Sequence, residues 1–189
     1  MDIINIDMLI ELFECANRRF IKNEKELLFI NVSERCICAA LMHHIRNVMC
    51  EIGGVYDGYF ADVEYNRIID DDGHTKIKTF GNTTNENSKG QEDEENKFVC
   101  DLLVHGRGHK SSDDLIALEM KKSTAKYKCK ACDKKRLKKL TSSVQQANNA
   151  RFKNDYLLGV YYEIDRLEKK IDIIYYHKGK VCKTYSENI

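Results

Sequence analysis

The stretch VCDLLVHGRGHKSSDDLIALEMKKS, residues 99–123, decides the fold. Two apolar runs, 98–105 (FVCDLLVH) and 115–121 (LIALEMK), flank a loop rich in Gly, Ser and Asp. That texture predicts an antiparallel hairpin. With the tip centred on Lys110, residues whose numbers sum to 220 face one another, which puts Asp101 opposite Glu119. Side chains two apart share a face of a strand, about 6–7 Å apart along it. Glu119 and Lys121 therefore project together, and three charged groups converge at the open end of an apolar hairpin. Burying charge is costly unless the groups pair or bind a metal.

Two carboxylates with room for water suit Mg²⁺ or Mn²⁺, whereas a softer metal calls for Cys or His. A Lys beside a metal-bound water can orient it or stabilise charge developing on a phosphate. Taken alone, an Asp-x(n)-Glu-x-Lys match also describes a strand cap and an edge ion pair. Its place on two adjacent apolar strands, in register, favours the functional reading.

Outward from the hairpin, residues 5–21 show helical spacing of Ile6, Leu9, Ile10 and Phe13. A second helix begins at Ser33 as N-cap, carries Ile37, Leu41, His44, Ile45 and Val48 on one stripe, and stops near Ile52 before Gly53-Gly54. His44, on that stripe, reads as a packed core histidine. Residues 59–67 alternate as a strand, with 76–80 as its hairpin partner across the Asp70-Asp71-Asp72-Gly73 turn. Residues 81–96, with five acids and no large apolar side chain, form an acidic polar loop with the composition of disordered chain. A helix over 133–152 and strands at 156–164 and 171–176 follow. The expected architecture is one α/β domain over 1–189, a mixed central sheet flanked by helices, with residues 1–32 as an N-terminal helical extension.

Asp101…Glu119-Met120-Lys121 resembles the core motif of the PD-(D/E)xK nuclease superfamily, and the element order resembles its restriction-endonuclease-like αβββαβ core. Cys100 stands where the family pattern has Pro. The resemblance implies that Asp101 and Glu119 ligate Mg²⁺ or Mn²⁺, that the Met120 carbonyl completes the metal site, and that Lys121 assists the attacking water. It further implies that Glu34, in the first turn of the second helix, is an additional catalytic and metal-directed acid. A helix dipole favours Glu there in any case. The function so implied is metal-dependent hydrolysis of nucleic acid, DNA before RNA. The competing classes are a non-cleaving nucleic-acid-binding module and a nuclease-fold subunit of a larger defence or mobile-element assembly, as homodimer or with a partner chain.

Residues 121–139 hold ten Lys or Arg and one acid. Lys122, Lys126, Lys134, Lys135 and Lys138, with Lys139, are candidates for the phosphate backbone, whose attraction is independent of base sequence. Such a run also describes a solvated helix face. Tyr127 among them could stack on a base. Arg67 is either a phosphate contact or the partner of Glu64, and the ion pair is the preferred reading. The loop His105-Gly106-Arg107-Gly108 is similar to one near the active site in compact superfamily members, which makes Arg107 a phosphate candidate. Cys129-x-x-Cys132 is half a zinc site, so free thiols in a flexible loop are expected and structural zinc is not.

With 31 basic against 30 acidic residues the net charge is +1, which excludes a uniformly basic nucleic-acid coat. No apolar run approaches the roughly 18 residues of a membrane helix. The first residues, MDIINIDMLIELFE, place acids where a secretory signal carries bases, so an intracellular, cytoplasmic protein without disulfides is expected.

Overall fold

A computed structural model describes residues 3–65, 67–69, 75–77, 99–109, 114–142 and 156–189. The expected hairpin tip at Lys110, the Asp70–Gly73 turn, the 81–96 loop and the 143–152 part of the predicted helix lie outside them. Helices α1 (Ile6–Asn23), α2 (Lys25–Phe29) and α3 (Glu34–Ile52) precede strands β1 (Phe60–Val63), β2 (Arg67–Ile69), β3 (Thr75–Ile77), β4 (Leu102–His105) and β5 (Asp114–Lys122). Helix α4 (Tyr127–Leu140) then leads to β6 (Leu158–Asp165), β7 (Lys170–His177) and β8 (Lys180–Asn188).

Six strands form one mixed sheet in the order β1-β4-β5-β6-β7-β8, while β2 and β3 pair separately. Every pairing in the large sheet is antiparallel except β5 with β6, whose crossover contains α4. The β4–β5 register follows the expected arithmetic: Leu102, Leu103 and Val104 face Leu118, Ala117 and Ile116. It shifts only at His105, which faces Asp114.

Alternation sends β-strand side chains to two faces. On one, Leu102, Val104, Leu118, Met120, Val160 and Tyr162 pack with Phe13 of α1 and Leu41 and Ile45 of α3. Phe13 meets Tyr162 and Tyr175 edge-on, with ring centroids 6.2 and 6.0 Å away. Helix α1 is thus built into the main core. On the other face, Leu103, Ala117 and Tyr161 pack beneath Leu137 and Leu140 of α4. Gly159 lets α4 approach here, because a Cβ would lie 3.0 Å from Thr141 Cγ2 and 3.2 Å from Tyr176 Cβ.

Helix starts follow local chemistry. Asn5 caps α1 by accepting from the Met8 N–H at 3.0 Å, and Ser33 caps α3 by accepting from the Cys36 N–H at 3.2 Å, as expected of it. Several expectations need correction. The 59–67 strand is broken at Glu64, whose φ is 51°, so β1 joins the main sheet through β4 while Arg67 opens β2. Helix α4 begins at Tyr127 rather than 133, which places Cys129 and Cys132 on its exposed face and not in a loop. It ends at Leu140, where the Thr141 N–H donates to Leu137 O. Strand β8 was not expected: its side chains are mostly exposed, so it carries no strong apolar alternation. None of the eight cysteines forms a disulfide. Among the described residues, no helix is long and apolar enough to cross a membrane.

Candidate active site

At the C-terminal end of β5 the chain brings together four carboxylates and two cationic groups. Asp101, just before β4, turns its Oδ2 to accept the Met120 N–H at 2.7 Å. Glu34, at the first position of α3, accepts the Lys122 N–H at 3.0 Å through Oε1. Lys121 Nζ lies 3.3 Å from Asp133 Oδ2, 3.4 Å from Glu34 Oε2 and 3.7 Å from Asp101 Oδ2. It also donates to the Met120 carbonyl at 2.9 Å. Glu119, only 1% exposed, receives Arg136 Nη1 at 2.6 Å. The same nitrogen donates to the Val99 carbonyl at 3.3 Å, and Arg136 Nη2 lies 3.6 Å from Asp133 Oδ1.

Asp101, Glu34 and Lys121, expected together, are in contact, whereas Glu119, expected with them, is turned to Arg136. Asp133 and Arg136 were missed. Their signal in the sequence is slight, since Asp133 is the one acid among the ten bases of 121–139. Their spacing has a geometric reason. Residues three apart on a helix lie on one face about 5–6 Å apart, which nearly matches the 6–7 Å between alternate strand residues. The Asp133–Arg136 pair of α4 can therefore oppose the Glu119–Lys121 pair of β5 with signs reversed.

The electrostatics follow from burial. Desolvation pushes the Glu119 carboxyl above its ordinary value, opposed by Arg136 and reinforced by Asp101 and Asp133. Burial also raises Asp101, against the pull of Lys121 and the Met120 N–H. For Lys121, burial favours the neutral amine, but Asp101, Asp133 and Glu34 outweigh it and hold the ammonium well above its ordinary value.

In donor chemistry these residues suit a hard divalent cation. Four carboxylates against Lys121 and Arg136 leave a formal charge of −2, and every acidic donor is oxygen. Asp133 Oδ2 is one of three buried side-chain polar atoms among the described residues that lack a hydrogen bond. As these side chains stand, no three Asp, Glu, His or Cys among the described residues converge closely enough to hold an ion.

The nucleic-acid candidates divide. Lys134, Lys135 and Lys138 join Tyr127, Lys130 and Ala131 in lining a groove of about 320 Å³ along α4. Tyr127 is 86% exposed at its mouth, and Lys126 is exposed just before the helix. Lys134 Nζ lies 4.4 Å from the Tyr161 ring centre. Lys130 bonds Glu163 at 2.7 Å and the Ser123 carbonyl at 2.6 Å, anchoring the start of α4 to the sheet. Lys122 instead turns to the α2–α3 junction, donating to Asn31 Oδ1 at 3.0 Å and the Val32 carbonyl.

Arg107 is likewise committed within the fold. It grips Asp62 with two nitrogens, at 2.8 and 2.6 Å, and stacks 4.1 Å from the Phe60 ring centre. His105 Nε2 shares Asp62 Oδ2 at 3.1 Å. Glu64 accepts from Arg35 Nε at 2.8 Å, because the turn at Glu64 directs it to α3, and the expected Glu64–Arg67 pair falls outside the described residues. The Arg67 side chain lies outside the described residues. His44 is buried, with Nε2 3.6 Å from Glu24.

No family model, curated protein or solved structure matches this chain significantly.

Proposed function

We propose that this chain is a Mg²⁺- or Mn²⁺-dependent nuclease that hydrolyses phosphodiester bonds of nucleic acid, with DNA preferred in keeping with the superfamily resemblance. The observation that carries this reading is the contact of Asp101 and Glu34 with Lys121 at one end of β5, with Glu119 buried two residues before that lysine. A helix, three successive antiparallel strands, a second helix and a parallel strand surround that point, which supports the resemblance.

In this reading Asp101, Glu119 and the Met120 carbonyl hold the cation, with Glu34 as the further acid. Bound there, the cation would lower the pKa of a coordinated water and neutralise charge on the phosphate. Lys121 steadies the developing phosphate charge and orients the attacking water from beside the Met120 carbonyl, to which it already donates. The lysines of the α4 groove hold the backbone so that the phosphate meets the water in line, and positioning of this kind supplies much of the rate.

A non-cleaving nucleic-acid-binding module is the second reading, favoured by the commitment of Glu119 to Arg136. The two separate on incubation with supercoiled plasmid, linear duplex and single strands in Mg²⁺, Mn²⁺ or EDTA. Cutting with either metal and none in EDTA is expected. Binding without cutting of any of them overturns the nuclease in favour of the module.

A further inference from the structure

We propose that Arg136 is an exchangeable counter-ion of this centre: it holds Glu119 in the cation-free protein and turns to a phosphate of the nucleic acid once that carboxylate engages a divalent cation. The inference rests on the nuclease reading and adds a substrate-binding residue that the superfamily motif lacks.

Four observations support it. The Glu119 side chain is 2% exposed and its Oε1 is 2.6 Å from Arg136 Nη1, so this guanidinium occupies an oxygen that a cation needs. The Arg136 side chain is nevertheless 32% exposed, so it reaches solvent while Glu119 does not. Its other contacts among the described residues, the Val99 carbonyl at 3.3 Å and Asp133 at 3.6 Å, are long and weak. Finally, Arg136 stands at the carboxylate centre itself, on a different face of α4 from Lys134 and Lys138 of the basic groove, so the phosphate it can meet is one brought to the cation.

Charge and shape then set the direction of the exchange. A divalent cation brings the six side chains from a formal −2 to 0, and Glu119 no longer needs the guanidinium. A planar guanidinium presents parallel N–H donors that match two phosphate oxygens, which an ammonium does not. Asp133, three residues earlier and paired with Lys121, stays as the fixed member of the helical pair.

The exchange makes a signed prediction that a structural ion pair does not. Removing a competitor for Glu119 tightens metal binding, whereas loosening a structural contact weakens it. Mn²⁺ binding is measured by electron paramagnetic resonance for wild type, Arg136→Ala and Glu119→Ala, with and without a phosphorothioate oligonucleotide that resists cutting. Wild type is expected to bind Mn²⁺ in a manner lost in Glu119→Ala, and more tightly with the oligonucleotide present. Arg136→Ala is expected to bind Mn²⁺ three- to tenfold more tightly than wild type without the oligonucleotide, to lose most of the oligonucleotide effect, and to cut poorly.

If Arg136→Ala does not fold, Arg136→Gln, which keeps a hydrogen-bond donor, carries the same test. A folded variant that binds Mn²⁺ no more tightly than wild type and keeps the oligonucleotide effect overturns the exchange but leaves the nuclease standing. Wild type with no Glu119-dependent Mn²⁺ binding and no cutting overturns the nuclease reading itself, and the exchange with it.

Discussion

The ammonium of Lys121, on β5, lies 3.3 Å from Asp133 Oδ2 on α4, nearer than to Glu34 or Asp101. A residue outside the Asp…Glu-x-Lys motif is thus the closest anion to its lysine. Asp133 is 5% exposed, so neutralising it leaves Lys121 to lean on the remaining two acids. Asp133→Asn is therefore expected to weaken Mn²⁺ binding several-fold, because the ammonium then competes harder for Asp101. Stability should fall by about 1–3 kcal/mol, the usual cost of leaving a buried polar group without its partner. Thermal melting and a Mn²⁺ titration check both, and unchanged affinity in a folded variant would refute the competition.

The roles within the motif separate by metal binding. Asp101→Ala and Glu119→Ala should each abolish cutting and weaken Mn²⁺ binding. Lys121→Ala should remove most cutting yet retain the metal, since a charged Lys offers no lone pair. All three must melt as folded proteins first, because removing one member of a buried pair can cost about 3–5 kcal/mol. A folded Glu119→Ala that cuts with ordinary metal dependence would place the chemistry elsewhere.

The groove along α4 should act through charge. Replacing Lys134, Lys135 and Lys138 together with Ala is expected to reduce the slope of log affinity against log salt by about 2–3, at roughly 0.7–0.9 for each phosphate that a lysine no longer neutralises. Cutting at saturating substrate should survive. Fluorescence anisotropy across a salt series reads the slope, and an unaltered slope would remove the groove from the interface.

Asp62 supplies a pH dependence of stability away from the metal ligands. Burial alone would raise its carboxyl, but hydrogen bonds from His105 and Arg107 overcome this and hold it well below the usual range. Its folded pKa is depressed, so its stabilisation is present above the unfolded value of about 3.9 and is lost as pH falls through the folded one. Wild type should therefore lose its stability advantage over Asp62→Asn as pH drops below about 4. Denaturant midpoints at pH 7, 4 and 3 test this; a constant difference would mean the carboxylate charge contributes nothing.

Gly159 tests how α4 is seated. Its Cβ position lies within 3.2 Å of both Thr141 and Tyr176, so Gly159→Val forces α4 outward. Overpacking of this kind typically costs about 1–3 kcal/mol. Because α4 also carries Asp133 and Arg136, the variant should lose nuclease activity beyond its loss of stability. Activity retained in full at a temperature where the variant is folded would show that the centre tolerates a displaced helix.

Much of this arrangement was legible in the sequence for reasons that are local. The β4–β5 register follows from apolar alternation, because a slip by one residue would send Leu102, Val104 and Leu118 to the wrong face. Glu34 was findable because Ser33 marks a helix start and fixes which residue opens it. What the tertiary structure alone decided involves surfaces that meet across the sheet. Asp133 and Arg136 look like members of a solvated lysine run until Leu137 and Leu140 bury one stripe of α4 and so turn the adjoining face toward Glu119 and Lys121. Arg107 reads as a loop arginine open to phosphate until strand pairing brings Asp62, 45 residues away, within reach. Periodicity states which side of an element is buried; which charges then find one another depends on packing between elements far apart in the chain.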